Sequence, residues 1–87
     1  MVRVLYSTYF VRKFKKLSAS LQSDVVEKIE QFKDSTNHKR LEVHKLGGKF
    51  KGQWAFSINY SDRIAFYYSI DKKTAHLLDV GDHTIYH

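Results

Sequence analysis

His38, His44, His76, His83 and His87 are the side chains of this sequence best suited to moving protons near neutral pH. An unperturbed imidazole titrates near pH ~6.5. Between Lys39 and Arg63 stand six basic residues, Lys39, Arg40, Lys45, Lys49, Lys51 and Arg63, against two acids, Glu42 and Asp62. These residue types match one chemistry. Metal-free cleavage of RNA needs a base for the 2′-hydroxyl proton, an acid for the departing 5′-oxygen and a cation for the phosphorane charge. Phe50 and Trp54 are interleaved with the lysines, and aromatic rings can stack on splayed bases.

Each of these residues also has a plain structural explanation. His76 sits in the alternation of a strand and reads as structural or surface. His38 lies in the polar run Asn37-His38-Lys39-Arg40 and reads as solvated, while His87 is the terminal residue. His83 follows Gly81 on a tail that can pack on the sheet, His44 can be a satisfied strand histidine, and Trp54 falls at a core position. A metal or other cofactor is not expected. There is no cysteine, the His38/His44 and His83/His87 spacings have no helix beneath them, and no carboxylate completes a ligand set. Gly47-Gly48 lacks the strand-loop-helix context of a phosphate loop, and no serine nucleophile elbow is present.

The elements that must position these groups follow from periodicity. Val2 to Tyr6 has strand character, and Ser7 can cap a helix carrying Phe10, Phe14 and Leu17. Ser18 or Ser20 can cap a second helix, whose stripe Leu21, Val25, Ile29 and Phe32 runs to about residue 35. Asp24 and Lys28 are spaced for a pair on its surface. Leu41, Val43 and Lys45 suggest a short strand. Trp54, Phe56, Ile58 and Tyr60 alternate with smaller or polar residues, as do Ile64, Phe66, Tyr68 and Ile70, and Thr74 to Val80 forms a last strand. The order is β-α-α-β-β-β-β in an α+β domain. Two helices pack on one face of a twisted antiparallel sheet, and the opposite face is left for a ligand.

Eighty-seven residues suit a single domain spanning 1–87. The net charge of +6, from fifteen Lys and Arg against nine Asp and Glu, favours a polyanionic or acidic partner. Arg3 and Arg12 interrupt the apolar residues of the N-terminus, so neither a secretory signal nor a membrane span is expected. A cytoplasmic location is.

Three motifs in order carry a resemblance. His44-Lys45-Leu46-Gly47-Gly48-Lys49-Phe50-Lys51-Gly52 resembles the H-x-L-x-G-x-x-x-G segment of RelE/ParE superfamily toxins. Asp62-Arg63-Ile64-Ala65-Phe66 is similar to their D-R-x-x-Y/F motif. Leu77-Leu78-Asp79-Val80-Gly81-Asp82-His83-Thr84-Ile85-Tyr86 is similar to their closing L-L-x-x-G-x-H-x-x-Y/F. The resemblance covers essentially the whole chain and is nearest the histidine-using, YafQ-like branch. It implies a ribosome-dependent mRNA endoribonuclease, neutralised by an acidic antitoxin. His83 would be the principal acid/base, His44 a second acid/base or phosphate contact, Asp62 an orienting or catalytic carboxylate, and Arg63 the phosphate contact. Lys45, Lys49, Lys51, Trp54 and Tyr86 would touch RNA. A ParE-like gyrase inhibitor and a basic RNA- or protein-binding module are the alternatives.

Overall fold

Ser7 ends one element and starts the next. Its backbone is extended, and its Oγ accepts the Phe10 amide hydrogen bond at 3.0 Å. Strand β1 (Arg3–Tyr6) therefore gives way directly to helix α1 (Thr8–Lys15). Ser18 repeats the device for helix α2 (Ala19–Phe32), accepting from the Leu21 amide at 3.2 Å. Gln22 then closes the hairpin. Its Nε2 donates to the carbonyls of Phe14 and Leu17 at 3.0 and 3.3 Å, satisfying acceptors that the end of α1 leaves open.

The computed structural model describes residues 1–82 and residue 85. Helix α2 stops at Phe32, short of the expected residue 35. The Asp34 carboxylate accepts from the Thr36 amide and hydroxyl at 3.0 and 2.8 Å, and this turn competes with further helix. The strand expected from Leu41 contracts to β2 (His44–Lys45). Glu42 has φ of 58°, which breaks an extended run, and Leu41 is buried as a plug instead.

Strands β3 (Trp54–Ser57), β4 (Asp62–Tyr68) and β5 (Thr74–Asp82) complete a five-stranded sheet in the order β1-β5-β4-β3-β2. From β2 to β5 the pairings are antiparallel, but β1 runs parallel to β5, with Arg3 opposite Thr74 and Tyr6 opposite Leu77. The expected antiparallel meander is present from β2 to β5, and the parallel edge pairing of β1 is added to it. No tight turn joins β1 to its neighbour, so nothing forces reversal; the helices carry the chain across. Tyr60 and Ile70 are fully exposed, contrary to the alternation. Asn59 Oδ1 accepts from the amides of Ser61 and Asp62, which ends β3 before Tyr60. Asp71 does the same for the next turn, accepting from Ser69 Oγ and the Lys73 amide just beyond Ile70.

Between β4 and β5 the register shifts. Ala65 faces Asp79 and Phe66 faces Leu77, leaving Leu78 unpaired as a bulge. This slip lets Leu77 and Val80, three residues apart, both join the core. Phe32 is the centre of that core. Its ring stacks on Phe56 at 4.4 Å and meets Phe66 edge-on at 5.0 Å.

Candidate functional site

The strand register decides which side chains share a surface. Paired residues project to the same face, and so do residues two apart. His44 lies opposite Ala55, Ser57 lies two residues beyond Ala55 and opposite Arg63, and Arg63 lies opposite Gly81. His44, Ser57, Arg63 and Gly81 therefore belong to one face. It is the face away from the helices, because the intervening Phe56 stacks on Phe32 of α2.

Local hydrogen bonds shape this face. The exposed His44 ring places Nδ1 2.7 Å from the Glu42 carbonyl oxygen. A carbonyl can only accept, so the proton is assigned to Nδ1 and the neutral ring keeps its lone pair on Nε2. Glu42 holds a second tie: its Oε1 accepts from Ser57 Oγ at 3.2 Å, joining the loop before β2 to β3. Arg63 Nη1 donates to the carbonyls of Asn59, Asp62 and Tyr60 at 2.8, 3.1 and 3.3 Å. The guanidinium is thus fixed on the β3–β4 turn through one nitrogen. No other described group takes its remaining N–H donors, which suit an anion.

Arg63 also lines a hollow of about 610 Å³ together with Ser57, Glu42, Asn59, Lys28 and Arg40. Sequence reasoning gave Lys28 no part here and counted Arg40 only as one of the basic run between Lys39 and Arg63. Lys28 was expected to pair with Asp24, and no such pair forms. Arg40 is held by Gln31 Oε1 at 3.0 Å and Asn37 Oδ1 at 2.9 Å. Three cations meet one carboxylate around this hollow, an excess suited to a phosphate. The only sequence signal was the basic pair Lys39-Arg40.

The other expected site residues are divided. Asp62 precedes Arg63 in β4, so alternation turns it to the opposite face, where Asp82 is its cross-strand partner. It is not brought together with His44. Lys45 and Trp54 pair with one another on the helix side, the Lys45 ammonium 5.5 Å from the Trp54 ring centre. Lys51 lines a hollow beside them. Lys49 sits over Phe50 at 5.5 Å in the turn Gly48–Phe50. Gly48 and Gly52 have φ of 61° and 92°, which explains two glycines of this segment. His83 and Tyr86 lie outside the described residues.

Two histidines have structural roles. His38 is not a solvated loop residue: its Nε2 meets the Phe32 carbonyl at 2.7 Å and its ring stacks on Phe32 at 4.7 Å. His76 stacks on its cross-strand partner Tyr67 at 4.5 Å. Among the described residues no three His, Cys, Asp or Glu side chains gather to hold a metal ion. No helix among them is long and apolar enough to cross a membrane.

No protein-family model matches the sequence, and no curated protein matches it at a significant level. Solved structures do match. A chain of the toxin–antitoxin complex RelBE2 from Mycobacterium tuberculosis superposes with a TM-score of 0.75 at 18% identity, over 94% of this chain and 98% of that one. The intact RelBE toxin–antitoxin complex of E. coli gives 0.71 at 14% identity, covering 94% and 96%. The archaeal RelE–RelB complex from Pyrococcus horikoshii gives 0.71 at 14%, covering 93% of each chain. Two helices on a five-stranded sheet, with β1 parallel to β5 at one edge, give this chain the RelE-like toxin fold.

Proposed function

We propose that this chain is the toxin of a toxin–antitoxin pair and an endoribonuclease that cleaves mRNA on the ribosome without a metal. The observation that carries the reading is the register that sets His44, Ser57 and Arg63 on one face of the sheet, opposite Phe56, in a RelE-like fold. In the proposed step the 2′-oxygen attacks the adjacent phosphorus and loses its proton to a histidine. The P–O5′ bond breaks, and the 5′-oxygen takes a proton from the second histidine. The products are a 2′,3′-cyclic phosphate and a 5′-hydroxyl. His44 and His83 divide the base and acid roles. Arg63, with Lys28 and Arg40 nearby, offsets the phosphorane charge. Asp62, turned to the other face, takes no part in this step. A small nuclease of this kind relies on its larger partner to splay and orient the RNA. The chemistry of a partner that silences a basic toxin is an acidic antitoxin.

The test is induced expression of the parent chain beside His44→Ala, His83→Ala, Arg63→Ala and Asp62→Asn, with mapping of 5′-hydroxyl ends on cellular mRNA. New ends within translated frames are expected from the parent and from Asp62→Asn. The other three variants should each lose roughly 10²–10⁴-fold in cleavage, the range for one acid/base or charge-stabilising group. Growth arrest without such ends, accompanied by DNA damage, would replace this reading with gyrase inhibition.

A further inference from the structure

The helix side of the sheet carries a second cationic surface that the proposed cleavage step does not use. The ammonium groups of Lys45 and Lys72 lie 5.5 and 6.0 Å from the centre of the Trp54 ring. Lys51 joins them around a hollow of about 400 Å³ whose walls include Tyr68 and Ser69. An adjoining hollow of about 410 Å³ shares Trp54, Tyr68 and Lys72 and adds Lys39 and His38. The shared walls set the two hollows side by side along one groove. Four lysines line it, and no carboxylate among the described residues does. Like charges gathered without a counter-charge repel one another, and an external polyanion relieves that repulsion. Trp54, held edge-on by Tyr68 at 5.1 Å, offers an aromatic wall beside the lysines. Point-charge ammonium groups beside an aromatic wall match the alternation of phosphate and base along a nucleic acid strand.

We propose that this groove docks a stretch of RNA distinct from the strand being cleaved, on the opposite side of the sheet from His44 and Arg63. The proposal rests on the ribonuclease reading and divides its RNA contacts. Lys45, Lys51 and Trp54 belong to docking, joined by Lys39, Lys72 and Tyr68. Docking through a remote surface would hold the reacting strand in place without spending the catalytic face on affinity.

Trp54 is the one tryptophan of the chain, so its emission reports the groove directly. The full chain is titrated with a short 2′-O-methyl oligouridine, which cannot be cleaved, over a series of salt concentrations. The comparison variants are Lys45→Gln/Lys51→Gln/Lys72→Asn and a charge-matched control, Arg12→Gln/Lys15→Gln/Lys16→Gln, on α1. All three groove lysines are exposed, and asparagine suits the φ of 60° at Lys72. Thermal melts check that both variants fold. The expected result is quenching of Trp54 emission in the parent and about tenfold weaker binding in the groove variant. The dependence of log K on log salt should flatten by about 2 there, for three phosphates released, and stay unchanged in the control. Equal losses in both variants, unmoved Trp54 emission, or tighter binding of polyglutamate than of the oligonucleotide would overturn the proposal. The two readings fail separately. Groove-dependent binding without histidine-dependent 5′-hydroxyl ends overturns the nuclease alone. Such ends with groove-independent binding overturn the docking surface alone.

Discussion

Phe32 is the residue through which helix and sheet meet. It is fully buried, with Phe56 stacked on one face of its ring and His38 on the other. The His38 bond to its carbonyl also closes the last turn of α2. Phe32→Ala removes the middle of this stack and is expected to cost about 3–5 kcal/mol. A small domain has roughly 5–10 kcal/mol in all, so urea denaturation should show a large fall in midpoint. An unchanged midpoint would mean that the stack does not hold the layers together. At the same scale Glu42 shows how a strained position ties together the residues of the candidate site. Its left-handed backbone turns its carbonyl to His44 while its carboxylate reaches Ser57.

Among the elements, β5 carries the most. It pairs with β1 and β4, receives the Ser7 hydroxyl at the Leu78 carbonyl, and binds Lys13 of α1 through Asp79 at 2.9 Å. Near its end a Cβ at Gly81 would lie 2.8 Å from Ile85 Cγ2 and 3.6 Å from Lys13 Nζ. Gly81 is therefore a packing requirement on the face shared with Arg63. Gly81→Ala should lower stability by about 1–3 kcal/mol through overpacking, and Ile85→Ala in the same chain should recover much of that loss. Additive losses in the double-mutant cycle would show that the contact is not the cause.

At the scale of the whole molecule, cations gather on both faces of the sheet and stability is bounded at both ends of the pH range. Asp34 and Asp71 have pKa values held below the ordinary carboxylate range, chiefly by hydrogen bonds from the side chains of Thr36 and Ser69. Their folded values lie below the unfolded value of about 3.9. Their contribution is therefore present above that pH and is lost as pH falls through the folded values. Lys13 behaves in the opposite sense. Burial pulls its ammonium pKa down, but the hydrogen bond and charge of Asp79, with Tyr9 and Asp82, raise it on balance. That contribution is present below about 10.4 and is lost as pH rises through the folded value. Melting temperature against pH should thus fall below about pH 4 and again above about pH 10. Asp34→Asn/Asp71→Asn should flatten only the acid limb, and an unaltered acid limb would count against these turns.

Local signals were sufficient for much of this. Ser7 and Ser18 as caps, the stripe through Val25, Ile29 and Phe32, and the alternating strands are each set by neighbours a few residues apart. The order β-α-α-β-β-β-β was legible for the same reason. The Asn59 and Asp71 turns that leave Tyr60 and Ile70 in solvent are side-chain to backbone contests that alternation alone does not reveal. The parallel pairing of β1 depends on a partner some seventy residues away, Thr74 to Leu77 opposite Arg3 to Tyr6. The site divides in the same way. His44 and Arg63 could be named from residue type and motif, but only the register between strands puts them on one face with Ser57. The same register turns Asp62, Lys45 and Trp54 to the other. A sequence specifies which side chains are present, and pairing between distant strands decides which of them share a surface, because one step along a strand reverses the face.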